Sequence, residues 1–439
     1  MNINFDEILF ADLHIHSRFS RACSKNINFE NLVKWARIKG LNLLGTGDFT
    51  HQIWIKEIKE QLKFVPTSDF KENQSEEKLI EKSGFYYYKD FPFIISGEIS
   101  LIYSQEDIHY VQSVLPQTRQ RNGRRVHLVI LVPNIETAEK INSYLDTKGR
   151  RDYDGRPIFN ISCKDFTRDM MNISKDIEII PAHVWTPWFG LFGSASGFDS
   201  LKEAFGEQFE NVHAIETGMS SDPEMNWRIN ELHKKAIVSF SDSHSFWPFR
   251  LGREATIFKK TDSYHGIIEQ IRNNDFVATI ETDPAYGKYH FDGHRDCNFS
   301  CSPEKTRELN GICPVCNKPL VIGVAYRVEQ LADNPEGFRI ENAKLFFRLL
   351  PLHEIIALAI GSSLEGKKTW LIYNSLIENF NNEFNILLNV PKEKFLEKKF
   401  DEKLVELIIR NREEKMIVKP GYDGVYGEAM LGEKQEKLF

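Results

Sequence analysis

Short apolar runs alternate with helix-like stretches along the first two thirds of the chain. Runs of this length are typical of buried β-strands, and the stretches between them of helices packed on a sheet. Seven strands are predicted, near residues 8–14, 41–45, 93–98, 126–132, 177–182, 212–216 and 236–241. Helices are predicted at 29–39, 53–62 and 226–235. This alternation favours a parallel α/β architecture, either an open sheet or a barrel.

Nearly every predicted strand carries a potential metal ligand at or near one end. In α/β barrels the loops at the carboxyl ends of the strands surround one axis, so residues far apart in sequence can meet there. The candidates are His14, His16, Asp48, Glu98, His127, His183, Asp242 and His244.

The pattern changes after about residue 290. Four cysteines lie between 297 and 316, and from about residue 331 the pattern is helical. The segment PGYDGVYG at 420–427 is polar and is expected to loop out. The apolar and helix-like segments are 343–350, 355–360, 372–396 and 404–412.

Composition and charge exclude some classes of protein. The 439 residues include 56 Lys and Arg against 63 Asp and Glu, a net charge of −7. This excludes nucleic-acid binding through global positive charge, although a local basic groove is compatible with it. The first residues do not resemble a secretory signal, and no apolar run is long enough to span a membrane. A cytoplasmic protein of two to three domains is expected.

The strongest motif is Asp12-Leu-His14-Ile-His16. Residues two apart on a strand point the same way, so both histidines can bind one ion. A lone His-x-His pair is more often structural, but Asp242-Ser-His244 repeats the spacing at another strand end. Cations held in this way suit phosphoester hydrolysis, because they acidify a bound water and neutralise phosphate oxygens. Mixed imidazole and carboxylate ligands favour Zn, Mn or Fe over Mg.

The order of the motifs HxH, TGD, GE, HL, AH and DxH resembles the PHP (polymerase and histidinol phosphatase) superfamily. The resemblance implies a distorted seven-stranded (β/α) barrel with two to three divalent metals. It also implies catalytic roles for His16, Glu98 and Asp242. The second motif departs from the usual TDH, and a histidine common after the first motif is absent. Either the third metal would have fewer protein ligands, or water, Asp12 or substrate would complete its shell. The implied ligands are His14, His16, Asp48, Glu98, His127, His183, Asp242 and His244.

The cysteine cluster predicts a structural zinc site. Two closely spaced pairs, Cys297 with Cys301 and Cys313 with Cys316, provide four thiolates. The Cys-Pro-Val-Cys turn on its own is also compatible with a redox motif, and the second pair favours zinc.

Several long segments resemble the endonuclease Q family. They are DLHIHSRFSRACS, PAHVWTPWFGLFGSASGFDS, SFSDSHS, CSPEKTRELNGICPVCNKPLVIGVAYRVEQLADNPEGF and PGYDGVYGE. The resemblance implies a nuclease of DNA repair. It would cut on the 5′ side of deaminated bases (uracil, hypoxanthine, xanthine) and abasic sites and leave a 3′-hydroxyl and a 5′-phosphate. The parts would be a catalytic barrel over 1–290, a zinc module over 291–330 and a helical DNA-binding domain with a flexible tail over 331–439.

Local positive charge and aromatic residues give candidate DNA contacts. The segments TRQRNGRR and KGRRDYDGRP flank the fourth predicted strand and its helix, and either could hold phosphates or be a solvated loop. Aromatic residues beside the ligands could stack on a base flipped from the duplex, although core packing is the commoner role. The candidate phosphate contacts are Arg119, Arg121, Arg124, Arg125, Arg150, Arg151 and Arg250, and the candidate pocket residues are Trp185, Trp188 and Phe246.

The chain ends in QEKLF, which resembles the peptide by which bacterial repair enzymes bind the sliding clamp. Gln435, Leu438 and Phe439 would be its anchors, and an incidental polar tail is the alternative. Two other functions remain compatible with the motifs: a phosphatase of small phosphomonoesters, and a non-catalytic DNA-binding accessory protein.

Overall fold

A computed structural model describes residues 4–67, 84–105 and 123–431. The helices are α1 (Phe29–Lys39), α2 (Gln52–Gln61), α3 (Ile135–Asp146), α4 (Cys163–Ile173), α5 (Leu201–Phe205), α6 (Pro223–Trp227), α7 (Tyr264–Arg272), α8 (Pro303–Glu308), α9 (Val324–Leu331), α10 (Leu352–Ile360), α11 (Lys367–Phe380), α12 (Glu383–Leu388), α13 (Lys392–Glu397) and α14 (Glu402–Arg412). The strands are β1 (Ile8–Asp12), β2 (Leu43–Gly45), β3 (Lys63–Pro66), β4 (Gly84–Tyr88), β5 (Phe91–Ser104), β6 (Gly123–Val132), β7 (Ile158–Phe159), β8 (Glu178–Pro181), β9 (Ala214–Glu216), β10 (Ala236–Val238), β11 (Ala255–Lys259), β12 (Ala278–Glu281), β13 (Asp292–His294), β14 (Phe299–Cys301), β15 (Leu345–Arg348), β16 (Ile417–Lys419) and β17 (Glu428–Met430).

All seven predicted strands are present, as β1, β2, β5, β6, β8, β9 and β10. The first predicted helix is confirmed at both ends. Asn28 accepts a hydrogen bond from the Asn31 N–H at the start of α1, and Gly40 ends the helix with a φ of 103°. Both are strong local signals, since asparagine caps helix starts and glycine adopts the left-handed conformation at helix ends.

The predicted parallel arrangement is wrong in part, because the sheet is mixed. Its main path runs β15-β12-β11-β1-β2-β5-β4-β3, with β6 joining β5 to β8 and β7 pairing with β5. The neighbours β1, β2 and β5 are parallel, whereas β6 runs antiparallel to both β5 and β8, and β11 runs antiparallel to β1. The pairing of β5 with β6 extends over ten residues of each strand, from Ile95 opposite Val132 to Ser104 opposite Gly123.

The strands that carry the site follow one another around a curve. Strands β9 and β10 form a parallel pair of their own. After β8, the Val184 N–H donates to the Glu216 carbonyl of β9 at 3.1 Å. Ser243, which follows β10 in the chain, and Ile15, which follows β1, form an isolated parallel β-bridge. Among the described residues, these strand pairings do not form a closed barrel.

Three other predictions from the sequence differ from the structure. Residues 226–235 contain only the end of α6 and a short turn at Asn230–Leu232, where the Asn230 N–H donates to Asp333 Oδ2 at 2.7 Å. Residues 343–350 are not helical: β15 pairs in parallel with β12, so tertiary pairing overrides local preference. The 420–427 segment does not loop out, since Tyr422 is buried and the Phe291 N–H donates to the Gly421 carbonyl at 3.0 Å.

The C-terminal helices share one buried core with the sheet. The rings of Phe10 in β1 and Phe384 in α12 stack with centroids 4.7 Å apart. A buried ion pair crosses the same boundary, with the Lys39 Nζ 2.7 Å from Glu383 Oε1. In the described part of the chain, no helix has the length and apolarity needed to cross a membrane.

Candidate functional site

Six of the predicted ligands meet at one end of the strands. They follow β1, β8 and β10 or lie within β5 and β6, so the sheet brings distant parts of the chain together. Asp242 keeps 28% of its side chain exposed and is thus open to solvent. The buried members are His14, His16, Glu98, His127 and His183.

Four side chains form the first group of ligand atoms: His14, His16, Glu98 and Asp242. Asp242 Oδ1 lies 3.0 Å from Nε2 of His16 and 3.5 Å from Nε2 of His14. Glu98 Oε2 lies 3.2 and 3.6 Å from the same two nitrogens. Two imidazole nitrogens and two carboxylate oxygens therefore converge, a donor set that suits Zn, Mn or Fe.

The second group consists of Glu98, His127 and His183. Glu98 Oε1 lies 2.8 Å from Nδ1 of His127 and 3.2 Å from Nε2 of His183, and these two nitrogens are 3.2 Å apart. Glu98 therefore presents one oxygen to each group, and its carboxylate can bridge two cation positions.

A cation fits the hydrogen bonding of the first group. Nδ1 of His14 is engaged by Glu216 Oε1 at 2.8 Å, so Nε2 is left with the lone pair. That Nε2 is buried and has no hydrogen-bond partner among the described residues. A buried nitrogen without a partner is costly, and a bound cation would supply the partner.

The electrostatics favour the same conclusion. Burial raises the pKa of Glu98, but His127, Arg156 and His14 outweigh it and hold that pKa well below its usual range. Burial lowers the pKa of His127 to about 3. Burial also lowers the pKa of His14, but Glu216, Glu98 and Asp242 outweigh it and raise that pKa well above normal, so a bound cation would take the place of a proton on Nε2. The carboxylates thus create a negative potential that attracts cations.

Asp48 and His244, two of the predicted ligands, lie beside these groups. Asp48 Oδ1 is 2.9 Å from Nδ1 of His16, and its Oδ2 accepts hydrogen bonds from Ser17 and Ser20 at 2.6 and 2.9 Å. Asp48 thus orients His16 from behind. The His244 ring lies 4.4 Å from the His16 ring, and its Nδ1 is 3.1 Å from the Asp242 carbonyl.

Sequence reasoning missed Glu216, which ends β9 and is fully buried. Besides His14, its carboxylate accepts a hydrogen bond from the His183 backbone N–H at 2.8 Å. One carboxylate therefore orients a ligand from each group. The position of Glu216 at the end of a predicted strand was the sequence signal that could have identified it.

Three residues of the site have strained backbones. Asp48, His183 and Asp242 have φ values of 43°, 31° and 48°. Residues other than glycine rarely adopt this conformation, and such strain gathers at functional sites. Each residue lies two to four positions after the end of a strand: Asp48 after β2, His183 after β8 and Asp242 after β10.

The cysteine cluster differs from the prediction by one ligand. The structure brings together His294, Cys297, Cys313 and Cys316. Cys301 is buried instead, with its Sγ 3.3 Å from the Thr306 hydroxyl. In the β13–β14 hairpin His294 lies beside the turn that carries Cys297, whereas Cys301 pairs with Asp292 at the far end. Three cysteines and a histidine are a common structural zinc set.

Two of the predicted phosphate contacts are structural. Arg124 is buried, donates to the Gly197 carbonyl and lies 2.9 Å from Glu203 Oε1. Arg151 is buried and lies 2.7 Å from Asp146 Oδ2. The prediction is wrong for both. Arg124 points inward because alternate residues of a strand face opposite sides, and the Arg151 guanidinium is bound by the Asp146 carboxylate.

The remaining candidates differ in surroundings. Arg125 is exposed, Arg150 is exposed and pairs with Asp152 at 2.9 Å, and Arg250 is partly exposed. The other two, Arg119 and Arg121, lie outside the described residues. So do the proposed clamp anchors, Gln435, Leu438 and Phe439.

Two of the three predicted pocket aromatics belong to the core. Trp185 is fully buried and its indole N–H donates to Asn226 Oδ1 at 2.8 Å. Phe246 is buried against Trp247, with ring centroids 4.8 Å apart. Only Trp188 of the three is open to solvent, with 40% of its surface exposed.

Trp188 lines a cleft of about 270 Å³ beside the second ligand group. It meets Tyr289 edge to face, with ring centroids 5.5 Å apart. Phe189 stacks on the His127 ring at 4.3 Å, which connects the cleft to the second group. Tyr426, from the C-terminal segment expected to loop out, completes the aromatic lining.

Comparison with known proteins gives two kinds of match. The MJ0043 C-terminal domain family matches residues 351–415, the helical segment from α10 to α14. Protein MJ0043 of Methanocaldococcus jannaschii is 30% identical over 289 residues, which cover 64% of this chain. The match spans 34% of MJ0043, so the matched part of this chain corresponds to about a third of that protein.

Two solved structures match over nearly the whole chain. The lesion-specific endonuclease PfuEndoQ from Pyrococcus furiosus superposes with a TM-score of 0.80 and 29% identity, over 98% of each chain. Endonuclease Q in complex with a 27-mer duplex bearing an abasic lesion at the active site gives a TM-score of 0.80 and 30% identity, over 98% of this chain and 99% of that one. The chain belongs to the endonuclease Q family.

Proposed function

We propose that this chain is a metal-dependent endonuclease of DNA repair. It would hydrolyse the phosphodiester 5′ to deaminated bases (uracil, hypoxanthine, xanthine) and abasic sites and leave a 3′-hydroxyl and a 5′-phosphate. The observation that carries the proposal is the position of Glu98, whose two oxygens face two separate groups of histidines. The full-length similarity to an enzyme solved with an abasic duplex at its active site supports the choice of substrate.

The two groups would each hold a divalent cation. Asp48 and His244, next to His16, remain candidate ligands of a third. Bound there, Zn, Mn or Fe would supply an acidified water and neutralise charge on the phosphate.

The protein itself holds the candidate ligands in place. Asp12 illustrates this, since it accepts hydrogen bonds from the Ser241 and Gly252 N–H groups at 3.0 and 2.9 Å and so fixes the segment that carries Asp242.

The cleft beside the second group would accept the lesion nucleotide. An enzyme that inspects a stacked base must flip it out, which costs a few kcal/mol. Trp188 and Tyr289 present aromatic faces on which the flipped base can stack. With the ligands His127 and His183 in the same lining, the base would be held next to the bond that is cut.

The proposed architecture is a PHP barrel over 1–290, a zinc module over 291–330 and a helical DNA-binding domain over 331–439. The strand order around the site supports the distorted barrel, since Val184 bonds to β9 and Ser243 forms a bridge to Ile15. The module would hold its zinc through His294 and three cysteines. Because that module lies beside the cleft through the 420–427 segment, zinc would stabilise one wall of the cleft.

DNA phosphates would be held by Arg125, Arg150 and Arg250 together with Arg119 and Arg121. Arg125 lies in β6, Arg150 lies on the loop before β7, and Arg250 lies on the loop between β10 and β11. The C-terminal QEKLF would bind a bacterial sliding clamp as a terminal peptide with two apolar anchors. A pull-down with the clamp tests this, and unchanged binding after deletion of 435–439 would contradict it.

End-labelled duplexes with one uracil, hypoxanthine or abasic site test the function. A product that ends just 5′ to the lesion, formed only with added metal, is expected. Turnover of p-nitrophenyl phosphate without nicking would favour a phosphatase. Binding without either reaction would favour an accessory protein.

A further inference from the structure

One arginine reaches the shared carboxylate of the metal centre. The Arg156 guanidinium donates to Glu98 Oε2 at 2.9 Å. This is the oxygen that faces His16 at 3.2 Å, so Arg156 lies on the side of the first ligand group. Its side chain is 25% exposed, which leaves part of the guanidinium open to solvent. Arg151, from the same loop, points into the protein instead.

The backbone around Arg156 is fixed on three sides. The Gly155 N–H donates to the Phe19 carbonyl at 3.1 Å, and the Thr50 hydroxyl donates to the Gly155 carbonyl at 3.2 Å. One residue further on, the Pro157 carbonyl accepts the Ser100 N–H at 3.0 Å. Only glycine fits at 155, because a Cβ there would lie 2.2 Å from Asp48 Oδ2. The backbone that carries Arg156 is therefore fixed beside the candidate metal centre.

Three anions lie near Arg156: Asp154, which pairs with Arg21 at 3.3 Å, and the two candidate ligands Glu98 and Asp242. Under the proposed function, cations would share the charge of both carboxylates. The guanidinium, which stays protonated at all relevant pH values, would then face the open side of the centre without a full counter-charge. A planar cation in that position suits a phosphate oxygen.

We propose that Arg156 binds a non-bridging oxygen of the phosphate that is cut. The phosphate would lie over the first ligand group, and the lesion nucleotide would occupy the aromatic cleft beside the second group. This inference rests on the proposed function and adds to it the residue that binds the phosphate and the direction in which the DNA lies. The alternative role for Arg156 is to hold Glu98 in position without touching DNA.

A neutral phosphate separates the two roles. Duplexes with one abasic site are prepared with either the natural phosphodiester or a methylphosphonate at the bond 5′ to the lesion. Binding is measured by fluorescence anisotropy in the full-length Asp242→Asn protein, supplied with metal so that binding can be followed without cleavage. Arg156→Ala and the near-isosteric Arg156→Gln are compared with Arg168→Ala, which removes an exposed arginine that pairs with Asp165 on α4.

Loss of a charged hydrogen bond should weaken binding of the natural duplex roughly ten- to a hundredfold in both Arg156 variants. Binding of the methylphosphonate duplex should be the same in all proteins within about twofold, and Arg168→Ala should match the parent on both duplexes. Equal losses on both duplexes, or a fall in bound metal that accounts for the loss, would overturn the assignment of Arg156 alone. A parent protein that does not prefer lesion-containing DNA would contradict the proposed function itself.

Discussion

The carboxylate of Glu216 lies 2.8 Å from Nδ1 of His14 and so fixes the nitrogen that His14 offers to the centre. Its other oxygen accepts the His183 N–H. Glu216→Gln leaves only one acceptor oxygen for these two donors. We expect metal affinity to fall about 10- to 100-fold, as is typical when the partner of a ligating histidine is lost. Metal titration of the variant measures this.

The matched control is Glu207→Gln, which changes an exposed glutamate near α5. It should bind metal like the parent protein. Unchanged metal affinity in Glu216→Gln would mean that the hydrogen bond to His14 does not support the centre.

Gly155 is expected to tolerate no side chain. A Cβ at this position would meet Asp48 Oδ2 at 2.2 Å and the Ser20 hydroxyl at 2.3 Å. Gly155→Ala should therefore lower the free energy of unfolding by about 1–3 kcal/mol and slow nicking by displacing Asp48. Urea denaturation and nicking rates measure the two effects. In Gly123→Ala the new Cβ meets nothing within 4 Å, so parent-like values are expected there and would exclude a general effect of alanine.

Zinc content distinguishes the two possible ligand sets of the cysteine module. His294→Ala and Cys313→Ser should each release the structural zinc, whereas Cys301→Ser should retain it because that thiol bonds to Thr306. Metal analysis of the purified variants gives the answer. If Cys301→Ser lost its zinc and His294→Ala kept it, the predicted four-cysteine site would be supported instead.

The two tryptophans that follow His183 should respond differently to truncation. Trp185→Ala removes a fully buried side chain and should cost about 3–5 kcal/mol of stability. Trp188→Ala removes a side chain that is 40% exposed and meets Tyr289 edge to face, so it should cost less stability than Trp185→Ala. It should slow cleavage of uracil-containing DNA more than it weakens binding of undamaged DNA. Equal effects of Trp188→Ala on both DNAs would argue against a role in the pocket.

The positions of the seven strands along the chain could be predicted because each has a short apolar run and a clear end. The ends of α1 were readable for the same reason, with Asn28 and Gly40 as local caps. The antiparallel course of β6 and the strand β15 could not be predicted, since both depend on a partner strand far away in sequence. Nothing local separates an apolar strand from a buried helix segment of equal length.

The candidate site could likewise be predicted only in part. Motif spacing located the ligands of both groups, because strand ends converge. It did not separate ligands from supporting residues, so Glu216 was missed, and it did not show that Asp48 bonds to His16. Burial decided the roles of Arg124, Arg151, Trp185 and Phe246, and burial depends on neighbours that sequence alone does not show.

The most direct test of the account is nicking of an abasic-site duplex by the wild-type chain and by Asp242→Asn, with binding of the same duplex measured in parallel. The account predicts a metal-dependent cut 5′ to the lesion by the wild type. Asp242→Asn should show no detectable cleavage and bind the duplex within a fewfold of the wild-type affinity. Cleavage by Asp242→Asn at the wild-type rate would contradict the assignment of the reaction to this centre.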